Sequence, residues 1–244
     1  MRFLAFSSRN RKELLRDPIS LIFGIGLPVL LLLVISLIER SVSGMAEIFS
    51  IENFAPGIAM FSLSFIALFL GMLLANDRSS SFLARLFASP LAASDYLLGY
   101  SLPLLPIALV QSAICFITAF FLGLPVSVNV LLTILVLIPV AILFIGIGLL
   151  LGSIFSNKQV SPICSIVVQV AALSSGMWFD LHQIGGAFKA FCYALPFAHS
   201  VDLAKITLAG GGFTAIYPHL LWVAGYAAVI FVLAVRAFKK RMKS

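Results

Sequence analysis

The sequence predicts an all-α membrane protein with six transmembrane helices, and three observations carry that prediction. Of the 244 residues, 61% are hydrophobic and only 10% are charged, which is more apolar surface than one water-facing core can bury. The charges are spaced so that uncharged runs separate Asp17 from Glu39, Glu52 from Asp77, Asp95 from Lys158, Lys158 from Asp180, and Lys205 from Arg236. Each run is long enough to cross a bilayer, since about 20 residues rising ~1.5 Å each span the hydrocarbon layer. Finally, lysine and arginine concentrate on alternate connections, as they do when only one side of the membrane retains them.

The Asp95 to Lys158 run holds two spans, with Gly123, Pro125, Ser127 and Asn129 supplying the turn between them. The spans are then approximately 19–38, 54–75, 96–122, 129–155, 160–177 and 218–235. Arg2, Arg9, Arg11, Lys12 and Arg16 precede the first span, Arg78 and Arg85 follow the second, Lys158 follows the fourth, and Arg236, Lys239, Lys240, Arg241 and Lys243 follow the sixth. The opposite side carries only Arg40, Lys189 and Lys205. That bias places both termini and the 76–95 connection in the cytoplasm, here of a bacterial cell membrane. The net charge of +7 therefore serves topology and the bilayer surface, and no nucleic-acid partner is expected.

Residues 1–17 mix Phe3, Leu4, Phe6, Leu14 and Leu15 with five basic side chains, which suits a helix lying along the membrane surface. A plain topogenic flank explains the charge equally well. The apolar run that follows is longer than a signal-peptide core and lacks a small-residue cleavage site, so it is read as a retained span. Asp17-Pro18 marks the bend into it. Gly24, Gly26 and Pro28 in the first span, and Pro103 and Pro106 in the third, read as kinks that neighbouring helices can satisfy.

Between the second and third spans lies a polar island, NDRSSSFLARLFASPLAASDYLLGY, from Asn76 to Tyr100. Phe82, Leu83, Leu86 and Phe87 recur at helical spacing while Arg78 and Arg85 fall off that face, predicting an amphipathic helix of about two turns. Pro90 ends it, and Ser94 or Asp95 caps the next helix. Such a helix is either an interfacial connector or a docking element that inserts its Phe and Leu face into a partner's groove.

Gly148 and Gly152 in the fourth span form a Gly-x-x-x-Gly pair, read as a close helix contact. Gln111 and Gln169 are the largest polar groups within spans. Each either lines a substrate path or hydrogen-bonds to a neighbouring helix. The 178–217 segment mixes apolar residues with Gly185, Gly186 and Lys189, fitting short extracytoplasmic helices that dip into the membrane. His182, His199 and His219 are far apart in sequence and read as separate surface residues, and Ser200 with Asp202 beside His199 lacks the context of a hydrolytic site. Cys115, Cys164 and Cys192 show neither metal spacing nor a disulfide pattern, and no cofactor is implied.

No Asp, Glu, Lys or Arg falls inside a predicted span, which argues against an ion-driven pump. There is no phosphate-binding loop, so the energy for any uphill movement is expected from another chain. An intramembrane enzyme or a structural scaffold are the competing readings.

RKELLRDPISLIFGIGLPVLLLL, the Asn76–Tyr100 island and SSGMWFDLHQIGGAFKAFCYALPFAHSVD together resemble the permease subunit of type-2 ATP-binding-cassette (ABC-2) exporters over nearly the whole chain. The cytoplasmic loop of that family resembles E-R-E-x-G-T-x-E-R-L-x-x-S-P. Asp77, Arg78, Arg85, Leu86, Ser89 and Pro90 match it, and Ser79, Ser81, Phe82 and Ala84 depart from it. Gly176, Pro196 and His199 match the pattern after the fifth span, with Asp180 where a proline is common. The resemblance implies one ABC-2 transmembrane domain over 1–244. It implies a surface helix at 1–17 and a coupling helix that, through Asp77, Arg78, Phe82, Leu83, Arg85, Leu86, Phe87, Ser89 and Pro90, meets a separate ABC ATPase subunit. It also implies a second permease subunit in a homo- or heterodimer, no enzymatic activity in this chain, and export of a drug, antibiotic, glycan or lipid-linked compound.

Overall fold

The computed structural model describes residues 2–18, 22–42, 47–80 and 93–242. The predicted island helix, with Phe82, Leu83, Arg85, Leu86, Phe87, Ser89 and Pro90, lies outside the described residues, as do the side chains of Ser94 and Asp95.

Among the described residues the architecture is helical throughout. Helix α1 is Arg2–Arg16. A π-helical turn, Ile22–Gly26, runs into α2, Leu27–Ser41. After a 3-10 turn at Glu47–Phe49, α3 spans Ile51–Ser79. Then come α4 (Ala93–Ser101), α5 (Leu104–Phe121), α6 (Val128–Val136), α7 (Ile138–Ile154) and α8 (Asn157–Ser174). Three short helices follow, α9 (Leu181–Ile184), α10 (Gly186–Ala194) and α11 (Pro196–Leu208), before the long α12 (Phe213–Met242).

Five stretches are long and apolar enough to cross a membrane: Ile22–Ser41, Ile51–Ser79, Tyr96–Phe121, Val128–Ile154 and Phe213–Lys240. They fall where spans one to four and six are expected. At the fifth position stands α8, whose first turn of Asn157, Lys158 and Gln159 keeps it out of that set. Its start is fixed by a capping box, in which the Gln159 side-chain oxygen accepts from both the backbone N–H and the hydroxyl of Ser156. The third stretch is broken at Leu102–Pro103 and the fourth at Leu137, just before Pro139, because a proline ring removes a donor and crowds the preceding turn.

Helix α3 is the axis of the bundle. Of its most apolar window 83% is buried, against 22% for the first stretch and 17% for the last, so α3 is wrapped by protein while those two face outward. Gly148 and Gly152 let α7 lie directly on it. A Cβ at Gly148 would sit 2.8 Å from the Ala67 carbonyl oxygen, and one at Gly152 the same distance from that of Gly71. The Gly-x-x-x-Gly pair therefore meets a second small pair, Ala67 and Gly71, and brings backbone against backbone. Between α5 and α6, Gly123 adopts φ 103°, and Arg40 from the end of α2 donates 2.5 Å to the Leu122 carbonyl, a cation closing a helix C-terminus.

A buried ion-pair node and an aromatic cavity

At one end of the bundle α1 is fastened across the start of the third span. Phe6 sets its ring edge against Tyr100 at 4.9 Å and 85°, in space left by Gly99, where any Cβ would collide with it. Asn10, fully buried, donates 3.1 Å to the Gly99 carbonyl. Arg9 completes the attachment. Its guanidinium grips both carboxylate oxygens of Asp77, at 2.6 and 3.0 Å, and reaches Glu13 at 2.5 Å. The Tyr100 hydroxyl donates 2.8 Å to the same carboxylate. Burial disfavours the charge on Arg9, but the bond and charge of Asp77 prevail and hold its pKa above the ordinary value. Burial pushes Glu13 up, against the pull of Arg9.

The neighbouring side chains stitch α3 to α7 and α8. Arg78 donates 2.6 Å to the Gly152 carbonyl and 3.2 Å to that of Phe155, closing the end of α7. Asn157 donates 3.3 Å to Asn76. Asp77 is only 2% exposed. Of the residues expected at an ATPase contact, the two described ones, Asp77 and Arg78, are thus bonded across helices within the chain. The sequence offered no sign of Arg9 as the partner of Asp77, 68 residues away. Its charge looked like any basic flank.

Beside this node opens a cavity of about 690 Å³ between the π-helical turn, α3 and α8. Phe23, Phe61, Phe65 and Phe69 wall one side, with Phe61 and Phe65 centred 5.1 Å apart and Phe65 and Phe69 6.1 Å apart. Ser161, Ser165 and Gln169 face it from α8, and Glu13, Asp17, Asn76 and Asn157 stand at the node end. The two glutamines part company here. Gln169 lines the cavity. Gln111 is 3% exposed behind it, donating 3.1 Å to the Gly24 carbonyl inside the π-helical turn, whose widened ladder suits a side-chain donor.

At the opposite end, α9 to α12 bring together the three histidines that looked separate. Lys189 Nζ lies 2.8 Å from His182 Nδ1, His182 Nε2 3.2 Å from the Tyr193 hydroxyl, and that hydroxyl donates 2.7 Å to Asp202. His199 contacts the Tyr193 carbonyl at 3.1 Å and His219 at 2.9 Å. His199 and Asp202, three apart on α11, share one helix face. Ser200 turns away and donates 2.8 Å to the Pro196 carbonyl, so its hydroxyl does not join this cluster. Among the described residues no three His, Cys, Asp or Glu side chains are arranged to hold a metal ion.

Comparison with known proteins bears on both ends. The family model described as ABC-2 type transporter matches residues 1–208. Among curated proteins, ABC transporter G family member 20 of Dictyostelium discoideum is 24% identical over 197 residues, covering 79% of this chain and 26% of that protein. The chain thus spans about a quarter of the length of that relative.

Proposed function

The chain belongs to the ABC-2 type transporter family, and from that premise we propose that it is the permease subunit of an exporter, driven by an ABC ATPase subunit and completed by a second permease subunit. The observation that carries the reading is the cavity of about 690 Å³ beginning beside the α1–α3 node. Its phenylalanine wall and its hydroxyl and amide groups suit an amphipathic cargo, in the range of a drug, an antibiotic or a lipid-linked compound. Gln169 is its polar contact at depth. The node transmits the ATPase's movement, because Arg9, Asp77 and Tyr100 tie the surface helix to both the second and third spans. Helix α8 acts as the fifth of six spans within one domain, and the Asn76–Tyr100 island couples to the ATPase through Phe82, Leu83, Arg85, Leu86, Phe87, Ser89 and Pro90.

Orientation follows from the basic bias, with the node in the cytoplasm and α9–α11 outside. Single cysteines at Ser80 and Gly211, in a chain freed of Cys115, Cys164 and Cys192, should react with an impermeant reagent from opposite sides of the membrane. Modification of both in intact cells would overturn this topology.

The coupling helix is tested by replacing Leu86 and Phe87 with alanine together. Truncating buried interface anchors costs on the order of 2 kcal/mol or more. The ATPase that co-purifies from the native membrane should be lost from the double variant, and substrate-stimulated ATP hydrolysis with it, while membrane insertion stays normal. A double variant that inserts, retains its ATPase and still transports would remove the docking role.

A further inference from the structure

We propose that His199 and His219 form a proton-sensitive clasp holding α11 against α12, closed while the two rings share at most one added proton and released when both are cationic. Phe238, near the end of α12, packs its ring against that of Tyr96 at the node end, so His219 in the second turn of that helix stands at the far end of the bundle. Proton placement follows from the partners. The Tyr193 carbonyl can only accept, so His199 Nε2 carries a hydrogen. In the neutral ring Nδ1 is then bare, and it accepts from the Nδ1–H of His219 at 2.9 Å. One added proton keeps this bond whichever ring takes it, because one Nδ1 then carries the hydrogen and the other is bare. A second added proton cannot be accommodated, because two Nδ1–H groups would then face each other across 2.9 Å.

The surroundings reinforce that difference. Tyr193 and its hydroxyl are committed to Asp202, and Lys189 sits on His182 rather than on the pair. Asp180 caps α9, Lys205 lies one turn beyond Asp202 on α11, and Tyr217 lies on α12. Helices α6 and α7, packed from the other side, carry no titratable side chain, and α3 brings only Glu52 at its outer turn. Burial, with the charge of His219, holds the His199 pKa below the ordinary value against the pull of Asp202 and the Tyr193 carbonyl. The sign is therefore fixed. The closed form is favoured at neutral pH, and opening gains free energy as pH falls below the ordinary histidine value of about 6.5.

Trp222 reports the event, since its ring lies 5.1 Å from that of His199 and an imidazolium quenches indole emission. With Trp178→Phe, Trp222 is the one tryptophan left of the chain's two. In the full chain in lipid nanodiscs, emission should fall reversibly between about pH 8 and about pH 5 with a midpoint under about 6.5. Amide exchange over 196–217, corrected for its intrinsic pH dependence, should quicken about ten-fold over the same range. With His199→Gln both responses should vanish. Wild-type exchange that stays constant, or quenching without faster exchange, overturns the clasp, as does a response that survives in His199→Gln.

Discussion

Gly152→Leu should yield no monodisperse protein on extraction from the membrane, and Gly148→Leu should do the same, whereas Gly225→Leu should purify and melt like the wild type. At Gly152 the first added carbon meets the Gly71 oxygen at 2.8 Å, the Leu74 Cβ at 3.0 Å and the Gly71 Cα at 3.1 Å. Two of those atoms are backbone, so no rotamer change relieves the contact. The helices must separate, and α3 is the one helix that most of the bundle packs against. Ordinary overpacking costs about 1–3 kcal/mol. Here each added carbon also forces the Ala67–Gly71 face of α3 away from α7, so the cost exceeds that range. At Gly225 nothing lies within 4 Å of an added Cβ, so the same substitution serves as a control for added bulk. Extraction yield and melting temperature measured side by side decide the matter. A Gly152→Leu chain that melts with the wild type would show that the α3–α7 seam does not hold the fold.

That seam shows how far the sequence reaches. The Gly-x-x-x-Gly pair is legible because small residues four apart share a helix face. Its counterpart, Ala67 and Gly71, is not, because an alanine in an apolar helix gives no local sign of what lies against it. The same holds for the spans. Charges mark all six, since a charged side chain in hydrocarbon is costly, whereas the helices supply five long apolar stretches, because Asn157, Lys158 and Gln159 belong to the first turn of α8. The break before Pro139 was missed, because one proline in a long apolar run does not say whether a neighbour will satisfy the freed carbonyl. At the node the resemblance to the ABC-2 family pointed to Asp77 and Arg78. It could not separate a contact for another protein from a joint within the chain, since both need a charge at a helix end. Nor could it pair Asp77 with Arg9. A contact across 68 residues is decided by how α1 folds back, and Phe6 against Gly99 and Asn10 on its carbonyl make that decision. Gln111 and Gln169 were equivalent as letters. Only the lateral position of α5 and α8 around α3 puts one inside the packing and the other on the cavity.

Asp77→Asn should detach α1 and uncouple transport without preventing insertion. The substitution removes the charge that holds the Arg9 fork at 2.6 and 3.0 Å and weakens the acceptor of the buried Tyr100 hydroxyl. Stripping one member from a buried ion pair costs about 3–5 kcal/mol. Arg9 keeps 36% of its side chain in contact with solvent and retains Glu13, so a loss of about 2 kcal/mol is expected. Two readouts follow from where that loss falls. Trypsin should cut faster at Arg11, Lys12 and Arg16, because α1 spends more time off the bundle. Substrate-stimulated ATP hydrolysis should fall while basal hydrolysis by the partner persists, because the surface helix no longer moves with the second and third spans. Asp77→Glu should recover part of both, since the charge returns with a longer reach. The combination Arg9→Met, Asp77→Leu and Tyr100→Phe discriminates further. It removes the ion pair with its buried hydroxyl but takes Arg9 away from Asn10 Oδ1 and Glu13, so melting should recover only in part. Equal trypsin cleavage of Asp77→Asn and wild type would mean that Phe6 and Asn10 suffice to hold α1, and would take the ion pair out of the coupling path.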